Sequence, residues 1–88
     1  MPPADRPWTA PARILVLYTA EHEWRYAIYS DAGVADGVLA GLPRSAAPEE
    51  AQTALLARAV DVTGRHYVAV WDAPGPHRWT ADLSVVDP

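Results

Sequence analysis

The 88-residue chain contains no cysteine, lysine, phenylalanine or asparagine, and each absence narrows its possible functions. Without cysteine there is no disulfide framework and no thiol chemistry. Seven arginines are spread along a chain of net charge −4, a distribution unlike the clustered cations of a nucleic-acid groove. Lysine, phenylalanine and asparagine have AT-rich codons, so their absence indicates a GC-rich genome.

Long apolar runs are missing as well. The longest run, Ile14–Tyr18, is far shorter than the roughly 20 residues that a membrane-spanning helix requires. The proline-rich beginning of the chain also lacks the apolar centre of a signal peptide. These features predict a cytoplasmic protein without membrane association.

The balance of residue types is that of one small globular domain. Half of the residues are apolar and 20% are charged, which separates the chain from disordered sequences. We expect residues 12–88 to form a single domain and Met1–Pro11, with its four prolines, to form an extended arm.

The first half of this domain predicts a β-hairpin. Ile14–Tyr18 is a short run of strand-forming residues, and Trp24–Tyr29 alternates between two faces after a polar link at Ala20–Glu23. The glycines and aspartates of Asp31–Gly37 predict a loop. Val38–Leu42 is a weaker candidate for a third strand.

The most regular feature of the chain is an amphipathic helix over Pro48–Val60, closed by Gly64. Proline suits the first helical position, and the two glutamates that follow it lie at the positive end of the helix dipole. The spacing predicts a buried stripe of small and aliphatic side chains, namely Ala51, Leu55, Ala59 and Val62.

Two further strands are predicted after the helix, Tyr67–Trp71 and Trp79–Val86, joined by a rigid turn at Ala73–His77. The order β-β-(β)-α-β-β predicts an α+β two-layer sandwich: an antiparallel sheet of four to five strands with one helix on one face. A single helix leaves the other face uncovered. It also leaves strand edges open, among which we count Leu83–Val86, flanked by Asp82 and Asp87.

Few residues point to catalysis. His22, His66 and His77 are too far apart in sequence for a typical zinc site, and we expect no metal and no cofactor. The serines have no nucleophile elbow, and Gly33–Gly37 is not a phosphate-binding loop. Asp72 and Asp82 are the best candidates for a general acid and base, although an exposed surface position is the commoner state of aspartate.

The unusual constellation is aromatic. Seven of the eight aromatic residues lie in predicted strands. In a chain without phenylalanine they can build the core, but their alternation places them on both strand faces, and one helix covers only one face. We therefore predict that Tyr29, Tyr67, Trp71 and Trp79 form a partner-binding surface.

Part of the chain resembles the HicB-like antitoxin domain. The similarity lies in the aromatic strand Trp24–Asp31, a glycine-containing link and the helix start Ala47–Ala51, within residues 13–70. It departs from that family in its longer link, residues 32–47, and in lacking a DNA-binding segment after the last strand. The resemblance implies a compact α+β module that binds and blocks a small basic ribonuclease and has no catalytic residues.

These observations predict a non-enzymatic binding or regulatory module that acts through a sheet face or edge and forms a homodimer. The partner is expected to be a protein and not a nucleic acid. A domain that binds a small molecule between helix and sheet, where alanines leave room, is one alternative. A small enzyme or enzyme subunit that uses Asp72 or Asp82 is another.

Overall fold

A computed structural model of the chain describes residues 10–86 and shows an α+β fold dominated by its sheet. Five strands and one helix follow one another in the order β-β-β-α-β-β. Their bounds are β1 Ala12–Thr19, β2 Trp24–Ser30, β3 Gly33–Val38, α1 Pro48–Thr63, β4 Tyr67–Gly75 and β5 Arg78–Val85. The first nine residues of the predicted arm, and Asp87, lie outside the described part of the chain.

All neighbouring strands are antiparallel, and their order in the sheet is β3-β2-β1-β5-β4. The first three strands form a meander, and the last two form a hairpin that pairs with β1 through β5. The helix therefore connects the two outer strands. Its 16 residues span about 24 Å at 1.5 Å per residue, enough to cross a sheet of this width.

Local chemistry accounts for both ends of the helix. Ala47 offers no side-chain cap, but Pro48 occupies the first turn beside two glutamates. At the other end Gly64 adopts the left-handed conformation, with φ of 70°, and its N–H donates to the carbonyl oxygen of Val60 at 2.7 Å. The helix is thus one turn longer than the sequence predicts.

The core lies between the helix and one face of the sheet. Leu15, Leu17 and Ile28 are fully buried on the two central strands, and Leu55 is fully buried on the helix. The buried helix stripe is Ala51, Leu55, Ala59 and Thr63. Val62, which was predicted in this stripe, is partly buried against the core. Strict spacing by four residues brings Thr63 into the stripe, where its hydroxyl is satisfied by a buried hydrogen bond to the carbonyl of Ala59.

Three local predictions were wrong. The segment predicted as a loop, Asp31–Gly37, contains β3, and only Val38 of the predicted strand Val38–Leu42 belongs to it. Strand β4 continues through Pro74 into the predicted turn. Proline is tolerated there because β4 is an outer strand, and the register shifts between Asp72 and Gly75.

The strand that holds the predicted open edge Leu83–Val86 is not an outer strand of the sheet. Strand β5 pairs with β1 through Arg78–Asp82 and with β4 on the other side, so Leu83–Val85 have a strand partner only in β4. The outer strands are β3 and β4. Each is interrupted by residues that disfavour further pairing, through glycine in β3 and proline in β4.

Candidate binding surfaces

The register divides the strand side chains into two faces. We call the side packed on the helix the covered face and the opposite side the open face. Within residues 10–86 no helix or strand lies over the open face. Of the eight large apolar residues that the structure records as exposed, six are on the open face: Ile14, Tyr29, Val34, Val38, Val68 and Val70.

The centre of the open face is buried from solvent even in the single chain. Val16 and Ala27 face each other across β1 and β2, and both are buried although no second layer covers them. Around them the exposed apolar side chains extend across four strands. Ile14 is 42% exposed and Val70 67%, so their apolar area meets solvent in the monomer.

Charged residues border this apolar area in a definite pattern. Arg25 and Arg78 lie on either side of Tyr18 at one end of the strands. The Glu23 carboxylate accepts a hydrogen bond from Arg25 Nε at 2.6 Å, and this bond, together with the attraction to Glu23, raises the pKa of the Arg25 guanidinium. The aspartates of the open face, Asp36, Asp72 and Asp82, are all exposed. Asp36 and Asp72 lie on the outer strands level with Val16, and Asp82 lies level with Ile14, toward the other end of the strands.

The four aromatic residues predicted as a partner-binding surface are not brought together. Tyr29 lies on the open face and is 44% exposed. Tyr67, Trp71 and Trp79 lie on the covered face, where Tyr67 is buried and the two tryptophans are partly buried against the core. A joint role for the four in binding stays a prediction, whereas their placement gives three of them a packing role.

Tyr67 connects three parts of the fold through its hydroxyl. It accepts a hydrogen bond from the backbone N–H of Ala12 at 2.9 Å and donates one to Thr63 Oγ1 at 2.6 Å. Thr63 in turn donates to the carbonyl oxygen of Ala59. This buried chain fastens the beginning of β1 and the end of the helix to β4.

The tryptophans contribute to a second cluster on the covered face. The rings of Trp24 and Trp79 have centroids 5.4 Å apart and are tilted by 46°. Trp24 is buried, donates from Nε1 to the carbonyl oxygen of Pro43, and has the Arg44 guanidinium 5.7 Å from its ring centroid. These contacts hold the link between β3 and the helix against the sheet.

The two aspartates proposed as an acid–base pair share the open face but are exposed. Asp72 lies opposite Thr80, and Asp82 lies opposite Val70, so they are diagonal neighbours on adjacent strands. Asp72 Oδ1 accepts a hydrogen bond from the N–H of Ala73. Asp82 borders a shallow cleft of about 330 Å³ beside Arg13, and Asp72 does not border it.

A larger cleft of about 390 Å³ opens between the helix and the β3 side of the sheet. Its wall includes the small residues Ala54 and Ala57, and its polar groups are Tyr26, Arg58 and Asp61. Arg58 Nε donates to the Tyr26 hydroxyl oxygen at 3.3 Å. Gly37 leaves room for this hydroxyl, because a Cβ there would lie 3.1 Å from it.

Residues 10–86 contain neither a candidate metal site nor a candidate membrane-spanning helix. Among residues 10–86 there is no group of three or more histidine and carboxylate side chains placed to hold an ion. The helix found in this range is neither long nor apolar enough to cross a bilayer.

Sequence reasoning missed the valines and Ile14 of the open face. Their signal was present in the alternation of the strands: Val68 and Val70 alternate with Tyr67, Ala69 and Trp71, so one set must face away from the helix. The prediction of a binding surface relied on aromatic residues, but the aromatic residues of β4 lie on the covered face.

Comparisons with protein-family models, with curated proteins and with solved structures find no match to this chain.

Proposed function

We propose that this chain is a non-enzymatic protein-binding module, built as a two-layer α+β sandwich, whose open sheet face is the docking surface. The helix and the covered face form the folded core. The open face presents apolar side chains in a flat array bordered by charge, which is the composition of a protein interface. The acidic net charge favours a protein partner over a nucleic acid.

The observation that supports this role is the concentration of exposed apolar residues on one face. The six residues lie on four strands, and four of them, Ile14, Tyr29, Val34 and Val38, form a patch on the adjacent strands β1, β2 and β3. Isolated exposed apolar residues are ordinary, whereas a contiguous apolar patch with a polar border is typical of an interaction site.

An antitoxin-like role is one form of this proposal. The resemblance to the HicB-like antitoxin domain implies a basic protein partner, and the open face and its border carry the exposed carboxylates Asp36, Asp72 and Asp82. Such a module would act by binding alone and needs no cofactor or metal.

The experiment is capture of partners from the native host with three tagged forms of the full chain: the native sequence, Ile14→Lys and Val85→Lys. Ile14 and Val85 are exposed to nearly the same degree, 42% and 40%, but Val85 belongs to the strand positions of the covered face. Mass spectrometry should find a protein, the untagged chain included, that the native form and Val85→Lys retain and Ile14→Lys loses. Equal capture by all three forms would contradict a docking role for the open face.

A second candidate is a small-molecule site in the cleft between the helix and β3. Its volume of about 390 Å³ is within the range of ligand pockets, and Arg58 and Asp61 supply opposite charges at one wall. Filling the cleft with Ala54→Leu tests this role. A ligand that raises the melting temperature of the native chain and not of this variant would favour it.

The third alternative, an enzyme that uses Asp72 or Asp82, has less support, because both groups are exposed and the 330 Å³ cleft is bordered by Asp82 without Asp72.

A further inference from the structure

We infer that the occupant of the open face is a second copy of this chain, stacked face to face about a two-fold axis that crosses the strands above Val16. This inference rests on the proposed function, since it names the partner of the same surface. It is carried by the placement of charged residues relative to the apolar ones on the open face.

Most side chains of the open face form three rows that run across the strands, and Ser84 and Val68 lie beyond the third row on β5 and β4. The first row is Val38, Arg25, Tyr18 and Arg78; the middle row is Asp36, Ala27, Val16, Thr80 and Asp72; the third row is Val34, Tyr29, Ile14, Asp82 and Val70. Both arginines are in the first row, and Asp82 is in the third. The charges are therefore asymmetric along the strand direction.

A two-fold axis along the middle row places the first row of one copy on the third row of the other. Arg78 then faces Asp82 of the second copy, and by symmetry this pair occurs twice. Arg25 faces the ring of Tyr29, a favourable cation–π partner, and Tyr18 faces Ile14. Val38 meets Val34, so each of these four pairs is complementary, and Val70 faces Gly75, which lies opposite Arg78 on β4.

The alternative two-fold axis, along β1, is disfavoured by charge. It exchanges β2 with β5 and thus places Arg25 against Arg78, twice by symmetry. The aspartates of the outer strands face one another about either axis, so the arginines distinguish the two. Like charges in register cost affinity and suppress such an arrangement. The pattern of charges therefore selects the axis across the strands.

The chosen axis has one unfavourable consequence at its two ends. Asp36 and Asp72 lie on the middle row, so each faces the same residue of the second copy. They are on the outer strands, at the rim of the interface, where water and salt screen the repulsion.

The area is sufficient for a specific, moderately stable dimer. Strands of up to nine residues, in a sheet of five strands, give an open face of roughly 600 Å² from the standard rise and strand spacing. Two such faces bury roughly 1,200 Å², the lower end of specific interfaces. We expect a dissociation constant in the micromolar range.

Sedimentation equilibrium of the full chain, from about 1 to about 100 µM, tests the inference. The native chain should approach twice its 9.5 kDa mass at the upper end. Ile14→Lys should remain a monomer, and Val85→Lys should dimerise like the native chain. Circular dichroism checks that every variant is folded.

Charge exchange tests the orientation. Arg78→Asp and Asp82→Arg should each raise the dissociation constant by at least about tenfold, since each converts two attractive contacts into repulsive ones. The double variant Arg78→Asp/Asp82→Arg should return to within about threefold of the native value. Arg78 and Asp82 are four residues apart on the same strand, which is too far for them to pair within one copy. A rescue by the double variant must therefore come from contacts between two copies.

A native chain that stays at 9.5 kDa at 100 µM would overturn the inference. So would a dimer that tolerates Ile14→Lys, or a double variant that is not rescued. A monomer that captures another host protein through Ile14 would overturn the second copy as occupant and leave the proposed docking role intact. A monomer in which Tyr29 is shielded at every concentration would also overturn the second copy as occupant.

Discussion

The covered and open faces of the sheet use the same strands, often the same pairs of neighbouring residues, but differ in what completes them. On the covered face, Leu15 and Leu17 meet the helix and are fully buried. On the open face, Ile14 and its neighbours form an apolar area that no other part of residues 10–86 covers. The comparison shows that one small helix covers only one of the two faces of a five-stranded sheet.

The tyrosines of the two faces also differ in burial and in hydrogen bonding. The hydroxyl of Tyr67 on the covered face is part of a buried hydrogen-bond chain, whereas Tyr29 on the open face is exposed beside Ile14 and Val34. A hydroxyl that is buried must be paired inside the protein, while an exposed one is satisfied by water. The difference separates residues that hold the fold from residues available to a partner.

The largest effect is expected on the covered face, from Leu55→Ala. Leu55 is fully buried beneath the helix, so its loss should leave a cavity and lower the free energy of unfolding by about 2–5 kcal/mol. Urea titration measures this change. The control Leu56→Ala, at the partly buried neighbour, should cost clearly less, and a cost below about 1 kcal/mol at Leu55 would contradict the helix orientation.

The next largest loss of stability is expected from Tyr67→Phe, which removes one hydroxyl from the covered face. The N–H of Ala12 loses its acceptor and Thr63 Oγ1 loses one donor, so the free energy of unfolding should fall by about 1–3 kcal/mol. Tyr29→Phe is the matched change on the open face and should cost no more than about 0.5 kcal/mol. Equal costs, measured by urea titration of a dilute monomer, would remove the distinction between the faces.

A smaller loss of stability is expected from a substitution at Gly64, where the helix ends. Gly64 has φ of 70°, so Gly64→Ala should lower the free energy of unfolding by about 1 kcal/mol. Gly75→Ala is the control, because no atom lies within 4 Å of an added Cβ there and its φ is not in the left-handed region. Thermal unfolding compares the two variants, and a larger loss at Gly75 would contradict the helix end described here.

The smallest effect on the monomer should come from Val70→Thr on the open face. Threonine keeps the β-branched shape, and Val70 is 67% exposed, so at about 1 µM the change should be within about 0.5 kcal/mol. At about 100 µM the variant should melt below the native chain, because a dimer stabilises by mass action and the variant weakens it. A difference that is independent of concentration would contradict an interface at this position.

The sequence predicted the elements better than their arrangement. The hairpin of β1 and β2 and the helix from Pro48 followed from local periodicity and end signals, and the structure confirms an α+β fold with an antiparallel sheet. The strand Gly33–Val38 was missed because its glycines and aspartates are typical of loops. They are accepted there because β3 is an outer strand and Gly37 must make room for Tyr26.

The pairing of β5 with β1 could not be read from local patterns, since it joins residues sixty or more positions apart. That pairing places Arg78–Asp82 inside the sheet and makes Tyr67–Gly75 an outer strand. It also decides which aromatic residues face the helix. An uncovered face was predicted because the sequence contains only one helix. Which residues lie on that face depends on the strand register, and the alternating valines of β4 indicated it better than the aromatic residues did.

The measurement that compares the two faces most directly is the reactivity of their two tyrosines at different protein concentrations, by chemical labelling and mass spectrometry. Tyr29 is 44% exposed and Tyr67 is 7% exposed in the single chain. The account predicts that Tyr29 reacts at about 1 µM and becomes protected at about 100 µM, while Tyr67 is protected at both. Reaction of Tyr67 at the rate of Tyr29, or equal reactivity of Tyr29 at both concentrations, would contradict it.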